Sequence, residues 1–139
     1  MAEYPFASVS TTPTQTDLPL FKEYAWDFDT NRFIYDDKGK HILLEANEAI
    51  KIWCYKALKT ERFTYLAYTH GFGIELYPFV AKIMGVLERK SELKRMITEA
   101  LMVNPYILSV DSITFTEEKR GEDVEIHIVM TTVYGELVI

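Results

Sequence analysis

The apolar residues of this chain change their spacing along the sequence, and that change limits the folds the chain can adopt. In the middle of the chain, apolar residues recur every three or four positions, which is the period of a helix that buries one face. Towards residue 139 they alternate with polar residues, which is the period of a strand with one buried face. Helical and alternating segments arranged in separate blocks predict an α+β fold with an antiparallel sheet.

Two short aromatic runs near the start of the chain predict a β-hairpin. Residues 24–28 and 32–36 lie on either side of Asp29, Thr30 and Asn31, which are residue types that favour turns. A second turn, at 36–39, leads to an apolar run at 41–46.

The first predicted helix follows this region. Asn47 is a plausible cap near its start, and the helix is expected to end around Thr60, where the sequence becomes β-branched and aromatic. Its apolar stripe has the spacing i, i+3, i+4, i+7 and i+8 and consists of Ile50, Trp53, Cys54, Ala57 and Leu58.

Two further helices are predicted before residue 105. The apolar residues from Leu76 to Leu87 continue a helical stripe after Gly73. The third helix is expected to begin near Ser91. It should stop at 104–105, because the residue before a proline disfavours the helical conformation.

The remainder of the chain predicts a C-terminal antiparallel sheet. Residues 112–116 and 123–130 alternate, with 119–122 as the turn between them, and the stripe from Val124 to Met130 faces one side. The last strand ends in three apolar residues, without the charges or proline that usually protect a sheet edge. We therefore predict that this strand pairs with another chain by strand addition, although an ordinary last strand within its own sheet remains open. The predicted contact residues are Tyr134, Gly135, Glu136, Leu137, Val138 and Ile139.

Residues 1–20 are expected to form an extended or disordered arm, and residues 21–139 a single α+β domain. Ser, Thr and Pro dominate the arm, so it cannot bury enough apolar surface to offset its ordering entropy. Its few large apolar groups suggest a strap that lies across a partner. The predicted contacts are Tyr4, Phe6 and Val9.

Composition argues against several classes of protein. A net charge of −6 argues against binding to nucleic acid, which requires a basic surface. No apolar run approaches the ~20 residues of a membrane span, and no signal peptide is recognisable, so we expect a protein of the cytoplasm. The single cysteine, Cys54, is expected to be a small buried apolar group.

The chemical motifs are weak, and no cofactor or metal is expected. His70, Gly71, Phe72 and Gly73 lack both the spacing of a phosphate-binding loop and any partner for a metal, so they are interpreted as a structural turn. Glu61 and Glu75 flank this segment and would be the acids of a hydrolase. In a chain with 21 acidic residues, such a pair arises easily by chance.

Longer stretches of the sequence resemble a known family. Residues 51–76, which read KIWCYKALKTERFTYLAYTHGFGIEL, and residues 92–115, which read ELKRMITEALMVNPYILSVDSITF, resemble the baseplate wedge or sheath-initiator family of contractile phage tails. More narrowly, the sequence resembles the XkdS-like branch of this family, which is found in PBSX-type prophages and Gram-positive tailocins. The family motif Glu-Pro-Arg corresponds here to Asn104, Pro105 and Tyr106, so only the proline is retained.

The resemblance implies a structural, non-enzymatic role in a contractile injection system. Family members are expected to assemble in the bacterial cytoplasm and to become part of a phage tail or tailocin particle. They would form a hexameric ring that joins the wedge to the sheath and templates the first sheath ring. The implied partners are the sheath protein and baseplate wedge proteins, with tube or hub proteins as further candidates, and neither nucleic acid nor membrane. The alternatives are a lysozyme-like peptidoglycan hydrolase of the tail and a cytoplasmic protein-binding module.

Overall fold

The predicted α+β fold is confirmed by a computed structural model that describes residues 18–65, 67–80, 82–117 and 124–139. Residues 1–17, which include most of the predicted arm, and the predicted turn at 119–122 lie outside the described residues. The described elements, in chain order, are β1 Lys22–Tyr24, β2 Trp26–Asp27, β3 Arg32–Phe33, β4 Leu43–Glu45, α1 Ala46–Lys59, α2 Tyr77–Val80, α3 Val86–Met102, β5 Ile107–Glu117, β6 Val124–Thr132 and β7 Gly135–Val138.

The N-terminal hairpin is present as the antiparallel pair β2 and β3. Its turn is held by Asp27, whose carboxylate accepts hydrogen bonds from the backbone N–H of Asp29 and the hydroxyl of Thr30. These bonds favour the ionised form and hold the pKa of Asp27 below its usual range, with the Thr30 hydroxyl as the largest cause. Tyr24 belongs instead to β1, which pairs with β4.

The first helix forms as its period predicts, but its predicted cap is wrong. α1 ends at Lys59, next to the expected Thr60, and Ile50, Cys54 and Ala57 on its stripe are completely buried. Burial raises the pKa of Cys54 to about 12, so the thiol behaves as an apolar group. The N-cap position is Glu45, which makes no side-chain capping bond, and Asn47 lies in the first turn of the helix.

The long helix predicted between Leu76 and Leu87 is not formed. α2 is a single turn, residues 82–85 are not helical, and α3 begins at Val86, earlier than the expected start near Ser91. Phe79 of the stripe is buried, but the described chain provides no surface that covers Ile83 or Leu87. Helical spacing alone does not stabilise a helix whose apolar face has nothing to pack against.

The C-terminal sheet has the order β5–β6–β7 with both pairings antiparallel. The register of β5 against β6 shifts twice, and at the second shift the unpaired Asp111 accepts hydrogen bonds from Thr131 and Ser109 at 2.7 Å each. These hydroxyls lower the pKa of Asp111, the Thr131 hydroxyl most.

One face of this sheet packs against α1 and α3 to form the core. Ile128 and Met130 of the predicted stripe are buried there, whereas Val124 and Ile126 at its start are exposed. The buried cluster also contains residues from both helices and all three strands, including Ile50, Cys54, Ile97, Leu101, Ile113 and Leu137.

The turn around Gly73 shows why a glycine is required there. Gly73 has φ = 102°, and a Cβ atom built on it would lie 2.6 Å from the carbonyl oxygen of Thr60. This close approach belongs to a parallel bridge in which Ile74 N–H donates to Thr60 and Arg62 N–H donates to Ile74. The segment is therefore the structural turn that the sequence predicts.

Replacing Gly73→Ala is expected to lower the free energy of unfolding by about 2 kcal/mol or more, because the new methyl group meets backbone atoms at an unfavourable φ. Denaturant unfolding measures this change. Gly71→Ala is the matched control, since its φ is not positive and no atom lies within 4 Å of its Cβ position. Equal losses for the two variants would contradict this account of the turn.

Candidate functional site

The last strand, β7, forms one edge of the C-terminal sheet. It hydrogen-bonds to β6 on one side, and among the described residues no strand pairs with its other side. β5 forms the opposite edge of the same sheet.

The direction of the β7 backbone groups follows from the pairing of its neighbour. Ile128 and Ile139 exchange both N–H···O bonds, at 2.8 and 2.9 Å. Since bonded and non-bonded pairs alternate in an antiparallel ladder, Leu137 points its backbone groups toward β6, and Glu136 and Val138 point theirs away from it. These two residues thus present the outward main-chain groups of the edge.

The side chains of the predicted strand-addition segment divide between the core and the surface. Leu137 is buried, Ile139 packs against the core, and Val138 is half exposed. Tyr134 lies in the turn before β7, where its hydroxyl accepts a hydrogen bond from Phe21 N–H at 2.9 Å. Gly135 takes φ = 109° to begin the strand.

Asn47 of α1 holds part of the outward edge. Its Nδ2 donates to the carbonyl oxygen of Glu136 at 3.2 Å, and its Oδ1 accepts from the Thr132 hydroxyl. The amide therefore joins the start of α1 to the β6–β7 turn and occupies one outward acceptor of β7. Local sequence signals could not identify this role, because the partners are 85 and 89 positions away along the chain.

A second surface is formed by the apolar residues around the break between α2 and α3. We call these residues the exposed stripe; Ile83 is completely solvent-exposed and Leu87 is 84% exposed. Monomeric proteins rarely expose so many large apolar groups within one short segment, so this segment is a candidate for contact with a partner. The exposed stripe consists of Tyr77, Val80, Ile83, Val86 and Leu87.

The residues at the family-motif position are mainly structural. Asn104 is 4% exposed, its Oδ1 accepts from Tyr106 N–H at 3.0 Å, and its buried Nδ2 has no hydrogen-bond partner in the described structure. Tyr106 is buried and donates its hydroxyl proton to the carbonyl oxygen of Pro19 at 2.6 Å. Of the three residues, only Pro105 is exposed. The helix ends just before this motif, at Met102, as predicted.

The acids considered for a hydrolase hold the neighbouring loop in place. Glu61 accepts hydrogen bonds from the backbone N–H groups of Leu76 and Tyr77, each at 3.0 Å. Glu75 lies 4.0 Å from Arg62, whose guanidinium also contacts Glu99 at 3.1 Å. His70 is exposed and contacts the ring of Phe63.

Within the described ranges, no group of three or more His, Cys, Asp or Glu side chains could hold a metal ion. No helix in the same ranges is long and apolar enough to cross a membrane.

Comparison with known proteins identifies the family of this chain. A family model described as the contractile injection system sheath initiator matches residues 22–135. The chain therefore belongs to the contractile injection system sheath initiator family, and it is a structural component of a phage tail. It is also 32% identical over 115 residues to the phage-like element PBSX protein XkdS of Bacillus subtilis, in an alignment that covers 82% of this chain and 76% of the relative. The family implies contact with tail sheath and baseplate components.

Replacing Asn47→Ala is expected to lower the free energy of unfolding by about 1–3 kcal/mol, because it removes two tertiary hydrogen bonds. A double-mutant cycle with Thr132→Val tests whether the two residues act together. Additive losses would mean that the hydrogen bond between them contributes nothing measurable. Hydrogen exchange at Leu137 should also become faster in Asn47→Ala.

Proposed function

We propose that this protein joins the baseplate wedge to the sheath and templates the first sheath ring by strand addition to β7. The observation that carries the proposal is the outward edge of β7, which no described strand occupies: Val138 presents its main-chain groups there, and Glu136 presents its N–H group beside a carbonyl oxygen that Asn47 already contacts. A strand of a sheath subunit would bond to these groups and extend the sheet. The protein would act in this way within a hexameric ring, after assembly in the bacterial cytoplasm.

The energetics favour such a role only when the contact is repeated. A main-chain hydrogen bond contributes on the order of 1 kcal/mol net, so a short strand pair is weak by itself. A ring presents the same edge several times to a partner that is also a ring, and the contacts are then made at high effective concentration. Weak single contacts and a strong assembled contact are properties expected of a template.

The exposed stripe is proposed as the contact with the baseplate wedge. Three of its residues, Val80, Ile83 and Leu87, have the i, i+3, i+7 spacing of an amphipathic helix, although residues 82–85 are not helical in the described structure. An apolar surface on a wedge protein would bury Ile83 and Leu87 and would stabilise a helix that continues α3 toward its N-terminus. The entropy lost in ordering the segment would weaken this contact relative to the area it buries.

Replacing Val138→Pro is expected to abolish sheath assembly on the baseplate while the protein stays folded. Val138 N–H points outward, so its loss leaves the bonds to β6 intact, and proline is tolerated on an edge strand in that orientation. Electron microscopy of particles would count sheathed tails, and thermal unfolding would check the fold.

Val138→Ala is the matched control, because it shortens the same side chain and retains the N–H group. It should support normal sheaths. If particles with Val138→Pro still form full sheaths, strand addition at β7 is the wrong mechanism, and the β5 edge becomes the candidate.

The double substitution Ile83→Ser and Leu87→Ser is expected to reduce copurification with baseplate components by about tenfold or more, because two large exposed apolar groups lose their burial in the interface. The melting temperature should not fall, since neither side chain packs in the described core.

Val124→Ser provides the comparison, since Val124 is an exposed apolar residue outside the stripe. An equal loss of copurification with this variant would show that the effect is not specific to the exposed stripe.

A further inference from the structure

A third surface is a cavity of about 380 Å³ between the N-terminal hairpin and the end of α1. Among the described residues that line it are four aromatic rings and two lysines, and none of these lining residues is acidic. Its volume lies in the lower part of the ~300–1,000 Å³ range of ligand pockets, which suits one or two side chains of a peptide. We call it the aromatic–lysine cavity; its lining includes Trp26, Phe28, Phe33, Tyr68, Lys56 and Lys59.

The charges of this cavity are only partly balanced by the described chain. Lys56 Nζ lies 2.8 Å from a carboxylate oxygen of Glu23 and also within 6 Å of the rings of Trp26 and Phe33. Lys59 Nζ lies 5.0 Å from the centre of the Phe28 ring, and no carboxylate in the described ranges pairs with it. In a chain of net charge −6, the cavity therefore carries a positive charge beside an aromatic ring, and the described residues provide no ion pair for it. The occupant that fits it carries a carboxylate next to an aromatic side chain.

The chain itself contains such a segment, outside the described residues. Residues 3–6 read Glu-Tyr-Pro-Phe, and the first 17 residues carry two acidic groups and no lysine or arginine. Pro5 restricts the backbone at its own position and at Tyr4 to extended conformations, which reduces the entropy lost when the segment is bound.

The length of the arm is sufficient to reach the cavity. Phe21 lies at the N-terminal end of α1, since its carbonyl oxygen accepts from Ala46 N–H at 2.9 Å. Lys59 is the last residue of α1, which places it about 20 Å from that end at 1.5 Å per residue. The twelve steps from Leu18 back to Phe6 span up to about 40 Å when extended.

We propose that the aromatic–lysine cavity binds the arm of the same chain, with the Glu3 carboxylate beside the Lys59 ammonium group and an aromatic ring of Tyr4 or Phe6 in the cavity. Docking within one chain is favoured because the tether holds the segment at a high effective concentration. This inference does not depend on sheath templating, because it concerns the free protein.

Nuclear magnetic resonance of the full-length protein tests the proposal. The indole N–H signal of Trp26 reports on the cavity, and heteronuclear relaxation at Tyr4 and Phe6 reports on the arm. In the native protein, the arm amides should be motionally restricted, and the Trp26 signal should not change over about tenfold dilution, because the contact is intramolecular. A change on dilution would indicate exchange of arms between copies and would overturn the proposal.

Two variants establish which groups are responsible. Lys59→Glu should reduce the ratio of bound to free arm by about five- to tenfold, because it replaces an attraction with a repulsion. Lys51→Glu is the matched control: Lys51 lies on the same helix, is exposed and does not line the cavity, so the same charge change should have little effect. Equal effects of the two variants would show that the arm responds to the overall charge of the protein and not to Lys59 in particular, and this would overturn the proposal.

The second test changes only the arm and leaves the sequence of residues 21–139 unchanged. Tyr4→Ala with Phe6→Ala should shift the Trp26 signal and release the arm, and a synthetic peptide of residues 1–12 should restore the native Trp26 position in that variant. An unchanged Trp26 signal in the double variant, or arm amides that are already unrestricted in the native protein, would show that the arm does not occupy the cavity.

Discussion

The packing of α1 and α3 against one face of the C-terminal sheet is the interaction on which the rest of the structure depends. The side chains with the least exposure come from these elements and include Ile50, Cys54, Leu101, Ile128 and Met130. Ala57 and Ala100 of the same helices are also completely buried. A sheet of three strands has two faces and two edges. Because the helices cover one face, much of the other face and of the edges is left for other contacts. The surfaces proposed for partners are parts of the molecule that this packing does not cover.

The parts of the fold that could be predicted are those in which a local pattern coincides with a buried face. α1 follows its stripe because that stripe packs on the core, and the aromatic hairpin follows its turn residues. The prediction failed between Leu76 and Leu87, where the same helical spacing lacks a packing surface in the described chain. A sequence shows which side of a helix would be apolar, but it does not show whether another element is present to cover that side.

The candidate site also has one part that local sequence patterns predict and another part that depends on tertiary contacts. Alternation predicts that the last residues form a strand, and the absence of protecting charges suggests an edge, which is where β7 lies. The role of Asn47 was not predictable, because an asparagine near a helix start has the same local signal whether it caps the helix or binds a distant turn. The exposed stripe could not be recognised either, because helical spacing at Val80, Ile83 and Leu87 does not show whether another element covers these residues. In both cases the deciding information is a tertiary contact that is made or not made.

The contact of Asn47 with Glu136 explains how an exposed strand edge can avoid aggregation and still bind a partner strand. An unprotected edge strand invites pairing between copies and aggregation. Here the protection comes from another element, since the Asn47 amide occupies the carbonyl oxygen of Glu136 and leaves Val138 as the main outward residue of β7. An edge this short gives little energy to a random strand, because few main-chain bonds can form. It can still hold a strand that is delivered in a fixed register by a larger assembly. The edge would then select its partner strand by the position in which the assembly presents that strand, more than by the sequence of the strand. A component that starts an ordered ring requires this kind of selection.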